Sequence, residues 1–393
     1  MSMLRDLTLS EDQLAVLTEI SNFLSITGSR RELRIGGLAG TGKTTMIAKF
    51  LNDSRQRIPY PISFATFTGK AAERLMHTFR SFGLEITVST LHRILYLTVL
   101  DPIKNELRFL ERDTLPEFIV VDEASMVSED FYKMLKDPSK GVKKLVFVGD
   151  HGQLPPIVKE GETAFNLMEN PTIKLEQIHR QCEGNPIIEL AYAVRNAHSA
   201  HEVLDLIQQS PLRKISKSAS FEGSIELSRT HSWNDIVHIV YKNATRVAIN
   251  KTLCETNHAL EAKDQPVIVL KNKHLESGVF LANGSRGLVK KFRHLQKCPF
   301  DVLDVEFPFG GLVTYLNAPR EVWNTASPKT FYSDQELVPI DWAYAITCHK
   351  AQGSSWKHVF VWLNDVYRRD LDFFKRWVYT AITRTEQHIY FVL

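Results

Sequence analysis

A chain of 393 residues with 48 Lys and Arg against 45 Asp and Glu has a formal charge of only +3. That balance neither requires nor excludes nucleic acid, because binding needs a local basic groove and not a basic average. With 44% hydrophobic residues the chain can fill sizeable cores, and at roughly 150 residues per domain its length predicts two or three domains.

Taken in chain order, the first half alternates short apolar strands with helical patterns. Strands are predicted at Leu33–Ile35, Ile62–Phe67, Phe118–Val121 and Leu145–Val148, with helices over Thr44–Leu51 and Lys70–Phe82 between them. The runs Phe118–Val121 and Leu145–Val148 are apolar at every position, which suits strands covered on both faces in a parallel sheet. Tyr96 to Pro116 reads as a β-hairpin insertion around Asp101-Pro102 and Lys104-Asn105. After about residue 181 a second unit of the same kind begins, with a strand at Ile239–Tyr241, a helix at Ala244–Cys254 and strands at Val359–Trp362 and Ile389–Val392. Residues 257–335 differ: Gln265–Lys271, Gly278–Phe280, Gly287–Phe292 and Asp301–Phe307 are short β-like runs, with an Asn283-Gly284 turn signal among them. Strand–helix alternation predicts doubly wound α/β domains, the second carrying a small β-rich insertion. The four cysteines, Cys182, Cys254, Cys298 and Cys348, form no CxxC pair, which argues against a zinc site or disulfide framework and for reduced thiols. Met1–Gln13 has no apolar signal core, and no stretch nears the ~20 apolar residues of a membrane span, so a soluble cytoplasmic protein is expected.

Gly37-Leu-Ala-Gly40-Thr41-Gly42-Lys43-Thr44 fits G-x-x-x-x-G-K-[ST] between a strand and a helix. Glycines let backbone N–H groups turn towards phosphates, and the helix N-terminus favours their charge. Lys43 is expected at the β- and γ-phosphates of ATP, the Thr44 hydroxyl on Mg²⁺, and Thr45 beside them. Phe118-Ile-Val-Val-Asp122-Glu123 is its natural partner, because an apolar strand ending in two acids puts carboxylates at the sheet edge where such folds bind ligands. Asp122 is expected to hold Mg²⁺, and Glu123 to orient or deprotonate the attacking water. These features indicate an NTPase without saying what the hydrolysis drives.

Further segments follow in order: Gln13; Thr68-Gly69-Lys70-Ala-Ala; Ser89-Thr90-Leu-His92; Gly149-Asp-His-Gly-Gln153-Leu-Pro-Pro; Leu175-Glu-Gln-Ile-His-Arg180-Gln; Tyr344-Ala-Ile-Thr347-Cys-His349-Lys350-Ala-Gln352-Gly353; and Trp377-Val-Tyr-Thr-Ala-Ile-Thr-Arg384. With them the chain resembles the RecD-like branch of superfamily 1 helicases, and within it the phage Dda-like group, over nearly its whole length. Only the motifs match closely, and Phe67 stands where the family usually has proline. That departure leaves the strand path intact or adds a stacking face.

The resemblance implies two RecA-like doubly wound parallel-sheet domains. The first would span 1–96 and 117–180, with a pin hairpin at 97–116. The second would span 181–256 and 336–393, with a β-rich, SH3-like insertion at 257–335. It implies that Gln13 reads adenine, Gln153 senses the γ-phosphate, Arg180 and Arg384 neutralise charge on it, and Gln352 and Gly353 lie near the nucleotide. Arg384 would reach across from the second unit. Thr68, Gly69, Lys70, Thr90, His92, Thr347, His349 and Lys350 would grip single-stranded DNA. Phe109 is either a base-stacking pin residue or part of the hairpin core, and Asn243 either touches the strand or caps a helix.

The expected activity is ATP-driven 5′ to 3′ movement along single-stranded DNA with duplex separation. Replication or recombination proteins of a phage or its bacterial host are the expected partners of a monomer. The competing readings are a translocase subunit that needs a partner and a nucleotide switch without nucleic acid. Strand stimulation of the ATPase discriminates the last.

Overall fold

The computed structural model describes residues 9–24, 31–54, 61–101, 106–156, 165–177, 184–256, 263–271, 273–275, 279–281, 283–308, 311–325 and 337–393. The chain divides into two compact units, Met1–Ile103 with Leu107–Ile188, and Lys104–Glu106 with Glu189–Leu393. The expected domain boundary at 180–181 falls outside the described residues.

The first unit runs α1 (Glu11–Leu24), β1 (Glu32–Gly37), α2 (Lys43–Ser54), β2 (Ile62–Thr66), α3 (Gly69–Ser81), β3 (Val88–Thr90), α4 (Leu91–Leu95), β4 (Tyr96–Asp101), β5 (Glu106–Glu111), β6 (Phe118–Asp122), α5 (Glu129–Lys136), β7 (Lys144–Gly149) and β8 (Ile173–Leu175). Among the described residues six strands form one parallel sheet in the order β3-β2-β6-β7-β1-β8. The uniformly apolar runs are explained by alternation between two cores. Phe118, Val120, Val146 and Val148 join Val16, Met46, Leu75 and Phe79 beneath α1, α2 and α3. Ile119, Val121, Leu145 and Phe147 join Leu91, Leu95 and Leu135 beneath α4 and α5. A strand buried on both faces has no place for a polar residue, which is what doubly wound architecture demands. The hairpin expected at 97–116 is present as β4 and β5, a separate two-stranded pair.

From Pro186 the chain continues as α6 (Pro186–Asn196), α7 (Ala200–Gln209), β9 (Arg213–Ile215), α8 (Lys217–Ser228), β10 (Ile236–Val240), α9 (Asn243–Thr256), β11 (Gln265–Val269), β12 (Lys273–His274), β13 (Phe280–Leu281), β14 (Arg286–His294), β15 (Phe300–Phe307), β16 (Gly311–Pro319), β17 (Ile340–Trp342), β18 (Ala345–Thr347), α10 (Cys348–Ala351), β19 (Trp356–Trp362), α11 (Leu371–Ile382) and β20 (Thr385–Val392). A second parallel sheet has the order β18-β10-β19-β20-β9. The fold class is thus two RecA-like parallel sheets. The β-rich stretch forms an antiparallel sheet, β16-β15-β14-β11-β17, which also takes in Ile340–Trp342 beyond residue 335.

That insertion shares one core with the second parallel sheet: Val267, Leu288, Leu303, Val305 and Trp342 pack in the same cluster as Ile236, Val240, Phe360 and Trp362. Asn283-Gly284 does not close a hairpin between its flanking strands. β13 pairs with β12 while β14 pairs with β11 and β15, and the Gly284 N–H returns to Val269 O at 2.8 Å. Cys254, Cys298 and Cys348 are thiols, and Cys182 lies outside the described residues.

Candidate active site and strand-binding residues

In the first unit, Gly37 ends β1 and the loop to Gly42 closes on itself before α2 begins. Gly40 and Gly42 have φ of +80° and +74°, the left-handed region that glycine enters without a Cβ penalty. At Gly37 the constraint is space: a Cβ there would sit 2.7 Å from Thr41 Oγ1. Thr41 is buried and its hydroxyl donates to Leu38 O at 2.9 Å. Met46 N donates to Gly42 O at 2.9 Å, starting the helix that carries Thr44 and Thr45 in its first turn. The Lys43 ammonium donates to Gly37 O at 2.7 Å and Leu38 O at 3.1 Å, so it lies over the loop it serves.

Gln13 is buried, where a solvated helix residue is the bland expectation. Its Nε2 donates to Thr41 O at 3.1 Å, and its Oε1 accepts from Ser10 N at 3.1 Å. Beside it, Asp12 accepts Glu176 N at 2.8 Å and Gln177 N at 2.9 Å. Burial raises the Asp12 carboxyl, but hydrogen bonds from Ser10, Gln177, Glu176 and Gln13 hold it below the usual range. Sequence reasoning missed Asp12, whose only signal was its place next to Gln13. It fixes Glu176 and Gln177, directly before 178–183, the stretch outside the described residues that contains Arg180.

Asp122 closes β6. Burial and the negative charge of Glu123 push its carboxyl up to about 6, against the Glu123 N–H and the charges of Lys43 and Arg74. The Glu123 N–H donates to Asp122 Oδ1 at 2.9 Å. Glu123 itself has φ +54°, a left-handed conformation that costs a non-glycine residue about 1–3 kcal/mol and concentrates at functional sites. Arg74 on α3 is a second residue that sequence reasoning passed over, since its charge reaches Asp122 from another element. Asp122 and Thr44 fit Mg²⁺, a hard cation held by one or two protein oxygens and shared with phosphates. Among the described residues no cluster of three His, Cys, Asp or Glu could cage a metal alone.

After β7, Asp150 folds the turn that carries Gln153. Its carboxylate accepts Gly152 N at 2.8 Å and Gln153 Nε2 at 3.3 Å, and Gln153 is buried. A Cβ at Gly149 would stand 3.0 Å from Ser125 N, tighter than an ordinary contact, where β7 ends against the turn after Glu123.

The Thr68–Lys70 segment and Thr90 follow the ends of β2 and β3, beside the end of β6 that carries Asp122. Thr66 pairs in register with Asp122, and its hydroxyl donates to Thr68 O at 2.9 Å. Thr68 caps α3 by accepting Ala71 N at 3.2 Å, ahead of Gly69 and Lys70. Thr90 caps α4 by accepting Arg93 N at 3.4 Å. A hydroxyl that accepts a cap bond still has a proton to donate. His92 stacks on Tyr96 at 4.6 Å and takes the edge of Phe109 at 4.8 Å. Burial lowers the His92 pKa. Phe109 is 38% exposed, so it packs against His92 and still shows a face to solvent. Phe67 lies 6.2 Å from Phe131.

In the second unit, Thr347 ends β18 and α10 carries His349 and Lys350. Burial lowers His349 to about 4 and, with the charge of Arg246, Lys350 to about 8. Gln352 is buried and Gly353 turns the chain with φ +70°. The next residue meets Arg384: Nη1 donates to Ser354 O at 3.3 Å, Nε to Thr380 O and Nη2 to Thr383 Oγ1, both at 3.1 Å. Asn243 is the first residue of α9, and its Oδ1 accepts from Arg246 Nε at 3.3 Å.

The family described as AAA domain matches residues 8–217, just over half of the chain, and the UvrD-like helicase C-terminal domain matches residues 342–392. The chain belongs to the AAA-domain family. It is 26% identical over 402 residues to the ATP-dependent RecD2 DNA helicase of Deinococcus radiodurans, covering 97% of its own length and 48% of the relative's. It is 24% identical over 390 residues to the ATP-dependent DNA helicase PIF1 of Xenopus laevis, covering 90% and 58%. It therefore spans about half the length of these relatives. Bacteroides Pif1 bound to single-stranded DNA shares the fold with a TM-score of 0.58 at 19% identity, covering 98% of this chain and 92% of that one. The described helices include none long and apolar enough to cross a membrane.

Proposed function

We propose that this chain is an ATP-dependent DNA helicase that moves 5′ to 3′ on single-stranded DNA and separates duplexes ahead of it. Lys43 holds the β- and γ-phosphates, framed by Gly37, Gly40, Thr41, Gly42 and Thr45. Gln13, Gln352 and Gly353 border the nucleotide. Thr44 and Asp122 hold Mg²⁺, which neutralises phosphate charge when bound. Glu123 orients and deprotonates the attacking water, Gln153 senses the γ-phosphate, and Arg180 and Arg384 offset the charge that grows on it. Thr68, Gly69, Lys70, Thr90, His92 and Phe109 form one grip on the strand, and Asn243, Thr347, His349 and Lys350 the other. Its substrates are single strands and single-strand/duplex junctions, which it works on as a monomer in the cytoplasm of a bacterial or phage-infected cell.

The observation that carries this reading is the register of β2 with β6: Thr66 stands opposite Asp122, so the Thr68-Gly69-Lys70 segment begins beside the Asp122 carboxylate. A change in phosphate occupancy needs to travel only one strand spacing to reach the strand-binding edge. Opening a base-pair step costs on the order of 1.4 kcal/mol in lost stacking, which a motor can meet by trapping transient opening behind a pin. One relative, the RecBCD enzyme subunit RecD of Buchnera aphidicola, bears a subunit's name, and dependence on a partner is the second reading. Strand displacement from duplexes tailed at 5′ or 3′, with ATP, Mg²⁺ and a Lys43→Ala control, tests the proposal. Displacement from the 5′ tail alone supports it. Strand-stimulated hydrolysis without displacement favours the partner-dependent translocase, and hydrolysis indifferent to strand favours the switch.

A further inference from the structure

One face of α9 is stitched to the segment that leads into Thr347, His349 and Lys350. Arg246 and Asn250, at helical spacing from Asn243, lie along that face. Asn250 Nδ2 donates to Trp342 O at 2.8 Å, and its Oδ1 accepts Ala345 N at 2.7 Å. Arg246 Nη1 meets Asp341 Oδ2 at 2.6 Å, with Nη2 on Thr325 O at 2.9 Å and Nε on Asn243 Oδ1 at 3.3 Å. Asp341 Oδ1 accepts both Asn324 N and Trp342 N at 2.8 Å. The pair is closed to water, with side chains 7% and 0% exposed. A buried ion pair gains little net stability over apolar residues of the same volume, so stability alone does not account for it.

What distinguishes this pair is its company: it touches one candidate strand-binding residue, Asn243, and its two charges act in opposite senses on another, Lys350. We propose that Arg246 and Asp341 are positioning residues of the strand-binding site, which orient Asn243 and set the charge that Lys350 presents to the DNA backbone. The proposal rests on the reading that the second unit grips single-stranded DNA through Lys350. Burial and the Arg246 guanidinium disfavour the Lys350 ammonium and the Asp341 carboxylate favours it, leaving it near pH 8, where small changes in its neighbours alter its charge. Among the described residues the charged groups acting on it are these two, one from α9 and one from β17.

The test is the affinity for a fluorescein-labelled oligothymidylate, read by anisotropy at low salt from about pH 6.5 to 9.5, a window that brackets this titration. Wild type should weaken as pH rises through the Lys350 transition, and Lys350→Arg, charged throughout, should remove that limb. Asp341→Asn should move the limb to lower pH and Arg246→Gln to higher pH, each by roughly one unit. Opposite shifts are the signature, because a purely structural defect would weaken binding alike at every pH. Limbs that stay fixed in both variants, or a flat wild-type profile with Lys350→Ala binding as wild type does, overturn the proposal. Wild type that fails to bind the oligonucleotide at all refutes the strand-binding reading itself. If one variant fails to fold by circular dichroism, the direction of shift in the other, read against Lys350→Arg, decides.

Discussion

The side-chain amide of Gln13 donates to the carbonyl of Thr41 at 3.1 Å, tying the start of α1 to the phosphate loop. The loop is therefore braced from outside as well as by its own glycines. Gln13→Ala should raise the KM for ATP about five- to tenfold, the value of one buried hydrogen bond, with a smaller change in kcat. Steady-state hydrolysis with saturating single-stranded DNA measures both, and an unchanged KM would mean the brace does not matter for nucleotide affinity.

Lys43 and Arg384 should separate binding from chemistry. Lys43→Ala should abolish hydrolysis. Arg384→Ala should bind nucleotide but turn over about 10³-fold or more slowly, the loss typical of an arginine that stabilises a transferring phosphoryl group. Because Arg384 also holds Ser354, Thr380 and Thr383, a thermal melt must accompany the kinetics. Rapid turnover in a folded Arg384→Ala protein would remove the residue from the catalytic set.

Phe109→Ala should lower the unwinding rate while leaving strand-stimulated hydrolysis near wild type. On the proposed function the exposed part of the ring meets DNA, while the part against His92 is packing. Stacking on one base is worth about 1–3 kcal/mol, enough to slow strand separation roughly tenfold. Comparing displacement rate with ATP turnover in the same reaction decides, and an equal loss of both would assign Phe109 to the hairpin core.

Acid should destabilise the second unit through its histidines. Burial is the leading cause in each case: it lowers His238 to about 3, helped by Arg286, His358 to about 4, helped by His231 and His388, and His349 to about 4. An unfolded histidine titrates near 6.5. The unfolded chain therefore binds more protons below that pH, and stability is full above about 6.5 and falls as pH drops towards 4. Denaturant midpoints at neutral and mildly acid pH should show the decline, and His238→Phe should flatten it. A midpoint constant over that range would contradict the assignment.

The phosphate loop was legible because its chemistry is local: glycines at fixed offsets, a lysine, and a strand and helix on either side. Asp122 and Glu123 were legible because an apolar run covered on both faces announces where a parallel strand ends. Gln13 was legible only by resemblance, and its bond to Thr41 crosses 28 positions, so no pattern within α1 discloses it. The Arg246–Asp341 pair joins residues 95 apart on a helix and a strand that each look ordinary alone. The insertion at 257–335 was recognised by its β-like runs. Its common core with the parallel sheet was not, because Leu303 and Phe360 carry no mark of being neighbours.

That common core bears on how the second unit comes apart. With Val267, Leu303 and Trp342 packed among Ile236, Phe360 and Trp362, the antiparallel sheet has no separate interior to keep if the parallel sheet opens. The insertion is therefore not an exchangeable cassette. Excising it would strip the backing from the helix that carries Asn243 and from the strand that delivers Thr347, and a pull on its outer edge would be felt there through the shared core.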